Sequence, residues 1–231
     1  MKTIGMIGGM SWESTHFYYK WMNEYVYAKL GGLNSIEAIL YSVNFSRVME
    51  HVERGDWPAA AEIIKNLAQT VEAAGAKVLI MTANAIHMVA DEVAAAIDIP
   101  LIHIADPTGA SLRHAGLKKA GLIGTKVTMG QPFYMERLKK KFGLDTIVPE
   151  NGEKEQIHKI IFEELTQGKL YESSKKRLLH IMDSLVQKGA EGVILGCTEF
   201  NLLIHQKDTK YPLFDTTTLH AKAAVDFALE K

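Results

Sequence analysis

The chain has 231 residues, is 47% hydrophobic and 23% charged, and sets 26 Lys and Arg against 27 Asp and Glu for a net charge of −1. This composition supports the core of one large or two small domains, excludes a mainly disordered chain, and lacks the basic excess of a nucleic-acid-binding surface. No apolar run approaches the roughly 18 residues of a membrane span, and a lone cysteine, Cys197, excludes an internal disulfide and a multi-cysteine zinc site. With no leader-like segment before the first strand, a reduced, cytoplasmic setting is expected.

Short apolar runs alternate with amphipathic segments along the chain. Strands are expected at Thr3–Ile7 and Ile36–Val43. Pro58–Ala74 follows as a helix, with Ile63, Leu67 and Val71 on one face, Asp56 ahead of it and Gly75 after it. Lys77–Met81 and Leu101–Ile104 read as strands, and Asp106-Pro107 opens another helix. Strands at Ala120–Ile123 and Asp145–Val148 precede helices over Lys154–Gln167, ended by Gly168, and Ser173–Lys188, ended by Gly189. Gly192–Leu195 and Pro212–Phe214 complete the strands. Most are unbroken apolar runs, as expected of strands buried on both faces. The order is that of an α/β protein with parallel sheets.

The chain also repeats itself. Gly5-Met6-Ile7-Gly8 and Phe17-Tyr18 recur as Gly121-Leu122-Ile123-Gly124 and Phe133-Tyr134, 116 residues later. Gly75-Ala76-Lys77-Val78-Leu79-Ile80 recurs as Gly189-Ala190-Glu191-Gly192-Val193-Ile194, 114 residues later. Four elements in one order point to duplication. The expectation is two pseudo-symmetric lobes, each a parallel sheet flanked by helices. Residues 1–100 plus 212–231 form one and residues 101–211 the other, with the active site between lobes at the carboxyl ends of the strands.

The second offset pairs Cys197 with Ala83 and Thr198 with Asn84, each just past a buried strand and before a helix. A cysteine near such amides and the positive end of a helix is expected to have a lowered pKa and to react as thiolate; a buried, inert thiol is the alternative. Gly8-Gly9-Met10-Ser11-Trp12-Glu13 follows the first strand and opens a helix. It lacks the GxGxxG spacing and any Gly-Lys-Ser/Thr, so carboxylate or small-anion binding fits better than a nucleotide, with Ser11 as cap and donor. His87 and Asp91, four apart, read as a surface pair. His103 reads as a satisfied strand residue and Phe17-Tyr18-Tyr19-Trp21 as packing.

Gly8-Gly9-Met10-Ser11-Trp12-Glu13-Ser14-Thr15, Asn84-x-x-His87 and Gly196-Cys197-Thr198-Glu199 resemble three segments of the aspartate/glutamate racemase family. The likeness extends to Asp106-Pro107-Thr108-Gly109 and Phe214-Asp215-Thr216. It implies two lobes, pairing as a homodimer, and racemisation of an acidic amino acid without PLP, other cofactor or metal. Facing acid/base residues would remove the Cα proton on one side and return one on the other. Cys197 is then the thiol acid/base. Gly9, Met10, Ser11, Ala83, Asn84, Ala85, Thr198 and Glu199 would surround the substrate, with Thr125 a weaker candidate.

The chain departs from that pattern at Ala83, where relatives carry Cys or Thr, and at Ala85, where a hydroxyl often stands. Thr82 is one position off and replaces the missing acid only with an altered register. Arg47 and Arg54 fall in the region that supplies an Arg for the side-chain carboxylate, and the Lys common near 163–168 is absent. Three accounts follow: a racemase in which Thr82 or water acts opposite Cys197; a one-thiol enzyme resembling the arylmalonate decarboxylases, in which the cysteine protonates a carbanion; or a silent member that binds an amino acid or dicarboxylate.

Overall fold

A computed structural model describes residues 1–230. The chain divides into two compact units, Met1–Ile104 with the segment from His220 on, and Ala105–Leu219.

In the first unit, β1 (Ile4–Gly8) leads into α1 (Trp12–Leu30), then β2 (Ala38–Ser42), α2 (Phe45–Glu53), α3 (Trp57–Ala73), β3 (Val78–Met81) and the short α4 (Ala90–Ala94). The parallel sheet has the order β2-β1-β3. β1 and β3 are wholly buried, as expected of central runs. β2 is not, because it is an edge strand and most of its side chains meet solvent. Alternation along β1 and β3 divides the core. Met6, Val78 and Ile80 pack with Tyr18, Met22 and Val26 of α1. Ile7, Leu79 and Met81 pack with Ile64, Leu67 and Val71 of α3. The start of α3 follows its sequence, since the Asp56 carboxylate accepts from the Ala59 amide at 3.2 Å.

The second unit runs α5 (Ala105–His114), β4 (Lys119–Gly124), α6 (Lys126–Gly130), α7 (Pro132–Phe142), β5 (Asp145–Ile147), α8 (Asn151–Lys159), α9 (Glu172–Gln187), β6 (Val193–Gly196), β7 (Leu213–Asp215) and only the first turn of α10 (Thr216–Leu229), whose remainder belongs to the first unit. Its parallel sheet has the order β5-β4-β6-β7. At the start of α5, Asp106 takes a two-pronged bond from Arg137 of α7, at 2.6 and 2.9 Å, and one from Lys141 at 2.7 Å. Burial pushes the Asp106 carboxyl up, but these cations outweigh it and hold the group below its ordinary range.

The duplication is real in the pairing. Gly5 pairs with Leu79 in the first sheet, and Gly121 with Val193 in the second. These are the same positions shifted by 116 and 114 residues, and each first-repeat strand lies between two neighbours in the same order. Ala83 and Cys197 are therefore equivalent positions of their own units.

Three expectations change. Leu101–Ile104 is not a strand: only Leu101 bridges Leu79. The helix over 154–167 is regular only as α8, then widens to a π-turn at Ile160–Glu164 and tightens to a 3-10 turn at Leu165–Gln167, before Gly168 ends it at φ 69°. The boundary also moves. Residues 212–219 belong to the second unit because β7 pairs with β6, and residues 101–104 stay with the first. The chain returns to the first unit at His220, inside α10.

Candidate functional site

In the first unit the site residues gather at the carboxyl ends of β1 and β3. After Gly8 the chain turns at Gly9, with φ 90°. A Cβ there would lie 2.2 Å from the Val43 carbonyl, so both conformation and space require glycine. Ser11 then caps α1 and accepts from the Ser14 amide at 3.4 Å, as its sequence position predicts. Thr15, one turn into the helix, holds this loop from beneath. Its hydroxyl accepts from the Gly9 amide at 2.8 Å and donates to the Ser11 carbonyl at 3.0 Å. That hydroxyl has one proton, already given to Ser11. The 3.1 Å contact with Thr82 is therefore a bond donated by Thr82. Ser11, Ser14, Thr15 and Thr82 are all buried.

Thr82 and Ala83 leave β3 on opposite faces. Thr82 continues the Ile80 row and meets Thr15 of α1. Ala83 packs against the cluster that contains Leu79 and Met81. Met10 and Asn84 are buried, and Ala83 and Ala85 are half-buried. Thr82 is thus bound into the support of the Gly9–Ser11 loop.

His87 corrects the expectation of a surface pair. It is buried, its Nδ1 lies 2.8 Å from the Ala83 carbonyl, and Asp91 is exposed. Sequence reasoning passed over Thr15 as well. The signal available was a run of hydroxyls at Ser11, Ser14 and Thr15 directly after a Gly-Gly turn.

In the second unit, Gly124 of β4 pairs with Gly196 of β6, so Thr125 and Cys197 leave adjacent strands side by side. A Cβ on Gly196 would lie 2.8 Å from the Ile123 carbonyl, which explains glycine ahead of the cysteine. Thr125 caps α6, accepting from the Thr128 amide at 3.3 Å. Cys197 continues the inward row of Val193 and Leu195 and lies in one apolar cluster with Ile161, Leu165 and Phe200. Beside it, Glu199 Oε2 accepts from Sγ at 3.0 Å and from the Thr198 hydroxyl at 2.7 Å. Thr198 and Glu199 are buried.

This environment reverses the expected thiol chemistry. Burial pushes the Cys197 thiol well above its ordinary range, and the Glu199 carboxylate adds to the shift. The helix expected to lower it is a five-residue 3-10 turn, Thr198–Leu202, too short to compensate for desolvation beside a carboxylate. The resting group is a thiol that donates a proton. Glu199, being an acceptor of two bonds, is also electrostatically unsuited to binding a substrate carboxylate.

Arg47 lines a groove of about 550 Å³ with Tyr41, His51, Glu62 and Asn66 of the first unit. Arg54 ends α2 and is exposed. Among the described residues, no cluster of three or more His, Cys, Asp or Glu is placed to hold a metal ion, and no helix is long and apolar enough to cross a membrane.

Residues 7–224 match the sequence model of the Asp/Glu/Hydantoin racemase family. Two solved structures cover 100% of this chain and of their own. One, from Yersinia pestis and assigned to the Asp/Glu racemases, is 44% identical with a TM-score of 0.93. The other, an aspartate racemase homologue from Pyrococcus horikoshii, is 37% identical with a TM-score of 0.87. The broad specificity amino-acid racemase RacX of Bacillus subtilis is 23% identical over 96% of each chain.

Proposed function

The chain belongs to the Asp/Glu/hydantoin racemase family, and on that premise we propose that it moves the Cα proton of an acidic amino acid, aspartate or glutamate, without a cofactor, using Cys197 as its one thiol. The observation that carries this reading is the buried Cys197 Sγ donating to the Glu199 carboxylate at 3.0 Å, at the carboxyl end of β6. Acidic substrates are supported by the relatives at 44% and 37% identity, one assigned to the Asp/Glu racemases and the other an aspartate racemase homologue.

The Cα–H of an amino acid is weakly acidic, so the base must be strong and the developing charge must be met. A desolvated thiolate is a stronger base than a solvated one. In this reading the Sγ proton passes to Glu199, and the thiolate removes the Cα proton. The electron pair left on Cα spreads into the α-carboxylate. That carboxylate is received by Asn84, Ser11 and the amide of Met10, with Gly9, Ala83, Ala85, Thr125 and Thr198 beside it. The thiol then returns a proton to Cα, and Glu199 returns the first proton to sulfur. Glu199 is in this scheme the proton partner of Cys197 rather than a substrate ligand.

The methyl of Ala83 carries no proton, and Thr82 is engaged with Thr15. Water therefore supplies the proton on the other face, and exchange runs faster than inversion. A homodimer in the cytoplasm belongs to the same reading, and sedimentation velocity tests the pairing. The neutral resting thiol equally suits protonation of a carbanion left by loss of CO₂, so release of CO₂ from a substituted malonate is the second assay.

The decisive experiment incubates each enantiomer of aspartate and glutamate in D₂O, following Cα deuteration and optical rotation. Deuteration of one enantiomer ahead of inversion, abolished in Cys197→Ser, is the expected result. Absence of deuteration for all four, with amino-acid binding intact, overturns the reading in favour of a silent binder.

A further inference from the structure

The first unit contains a buried group of three imidazoles that the proton transfer does not use. His87, His103 and His220 are 2%, 4% and 0% exposed. The His87 ring centroid lies 4.7 Å from that of His103 and 5.6 Å from that of His220. The outer member is tied down twice. The Ile102 carbonyl is 2.8 Å from His220 Nε2, and the Tyr18 hydroxyl is 2.9 Å from Nδ1. A carbonyl only accepts, so His220 carries its proton on Nε2 and receives the Tyr18 hydroxyl on Nδ1. Tyr18 of α1 and His220 of α10 thus hold a fixed wall against which His87 rests.

The inner face of that wall meets the end of β3. The Ala83 carbonyl is 2.8 Å from His87 Nδ1, and the His87 amide bonds back to the Asn84 carbonyl at 3.1 Å. The same acceptor argument places the His87 proton on Nδ1, the less common neutral tautomer. One residue therefore closes the turn through both side chain and backbone, fixing the two peptide planes on either side of Asn84.

We propose that His87 is a positioning residue: its Nδ1–H bond to the Ala83 carbonyl, backed by His103 and His220, holds the Ala83–Asn84 turn in the form that receives the substrate α-carboxylate. This rests on the amino-acid reading of the site given above. The imidazole does not touch substrate and moves no proton in the reaction. Its contribution is orientation of the Asn84 amide, through the bonds it makes to the Ala83 and Asn84 carbonyls on either side.

Paired substitutions separate this from general packing. Asn at position 87 places an amide N–H near the former Nδ1, whereas Gln places it near the former Nε2. His87→Asn should keep amino-acid affinity and Cα exchange within about threefold of the parent. His87→Gln should weaken affinity and raise KM by roughly tenfold, the loss expected for one buried bond left unmade, with kcat less affected. Melting temperatures of the two variants should be alike. Equal affinities in the Asn and Gln proteins, or losses that follow melting temperature alone, overturn the proposal. A ¹⁵N spectrum of the parent protein gives a readout independent of turnover. It should show His87 protonated at Nδ1, and protonation at Nε2 overturns the inference by itself. If the parent protein binds no amino acid, the functional reading fails and the role assigned to His87 fails with it. The tautomer distinguishes that case from a fault in the bond.

Discussion

Replacing Thr15 with Val keeps the shape of the side chain and deletes one hydroxyl. In the native protein that hydroxyl satisfies the Gly9 amide, the Ser11 carbonyl and the Thr82 hydroxyl. The Ser11 carbonyl keeps the Thr15 amide at 3.3 Å, so two buried donors are left unmade, Gly9 N–H and Thr82 O–H. At roughly 1–3 kcal/mol for each unmet group, relieved in part by rotation of Thr82, the expected loss is about 2–4 kcal/mol. Thr15→Ser is the control. It keeps the hydroxyl and removes a buried methyl, at a cost of about 1 kcal/mol. At roughly 3 °C per kcal/mol, calorimetry should find Val lower in melting temperature by about 6–12 °C and Ser by about 3 °C. Amide exchange at Gly9 should accelerate in the Val protein alone. If Val is at least as stable as Ser, or Gly9 stays equally protected, the hydroxyl is not what holds the loop.

The remaining expectations concern the second unit and the duplicated positions. Cys197 should alkylate slowly at neutral pH and faster as the pH rises above the ordinary thiol range. Glu199→Gln removes a carboxylate that raises the thiol and should speed alkylation at neutral pH; an unchanged rate would show that burial alone sets the shift. Because the folded thiol is raised, its protonated state contributes stability below about pH 8.5, and that contribution declines as the pH climbs towards the folded value. Asp106 has the opposite sign. Its depressed carboxyl contributes above about pH 4 and loses that contribution as the pH falls through the folded value. Asp106→Asn should accordingly melt lower than the parent at pH 7, with the gap narrowing as the pH falls below about 4. Ala83→Cys should raise inversion relative to exchange in the D₂O assay; a folded variant with no gain would mean that Ala83 does not face the substrate.

Much of the molecule was legible in one dimension. Apolar runs, capping residues and terminating glycines are local, so β1, β3, β4 and β6 and the starts of α1 and α3 could be read from residue order. The duplication was legible for the same reason, since equal offsets in sequence become equal registers when both copies fold alike. Residue order also placed Ala83 and Cys197 at matching strand ends and Ser11 at its cap. It could not assign residues 212–219 or 101–104 to a unit, because strand partners are chosen by distant segments. Nor could it give the protonation of Cys197, which depends on Phe200, Leu165 and Ile161 excluding water and on Glu199 turning back towards the sulfur. The engagement of Thr82 with Thr15, across 67 residues, and the burial of His87 against His220, across 133, are of the same kind: contacts decided by packing, which alone determines what each polar atom has for a partner.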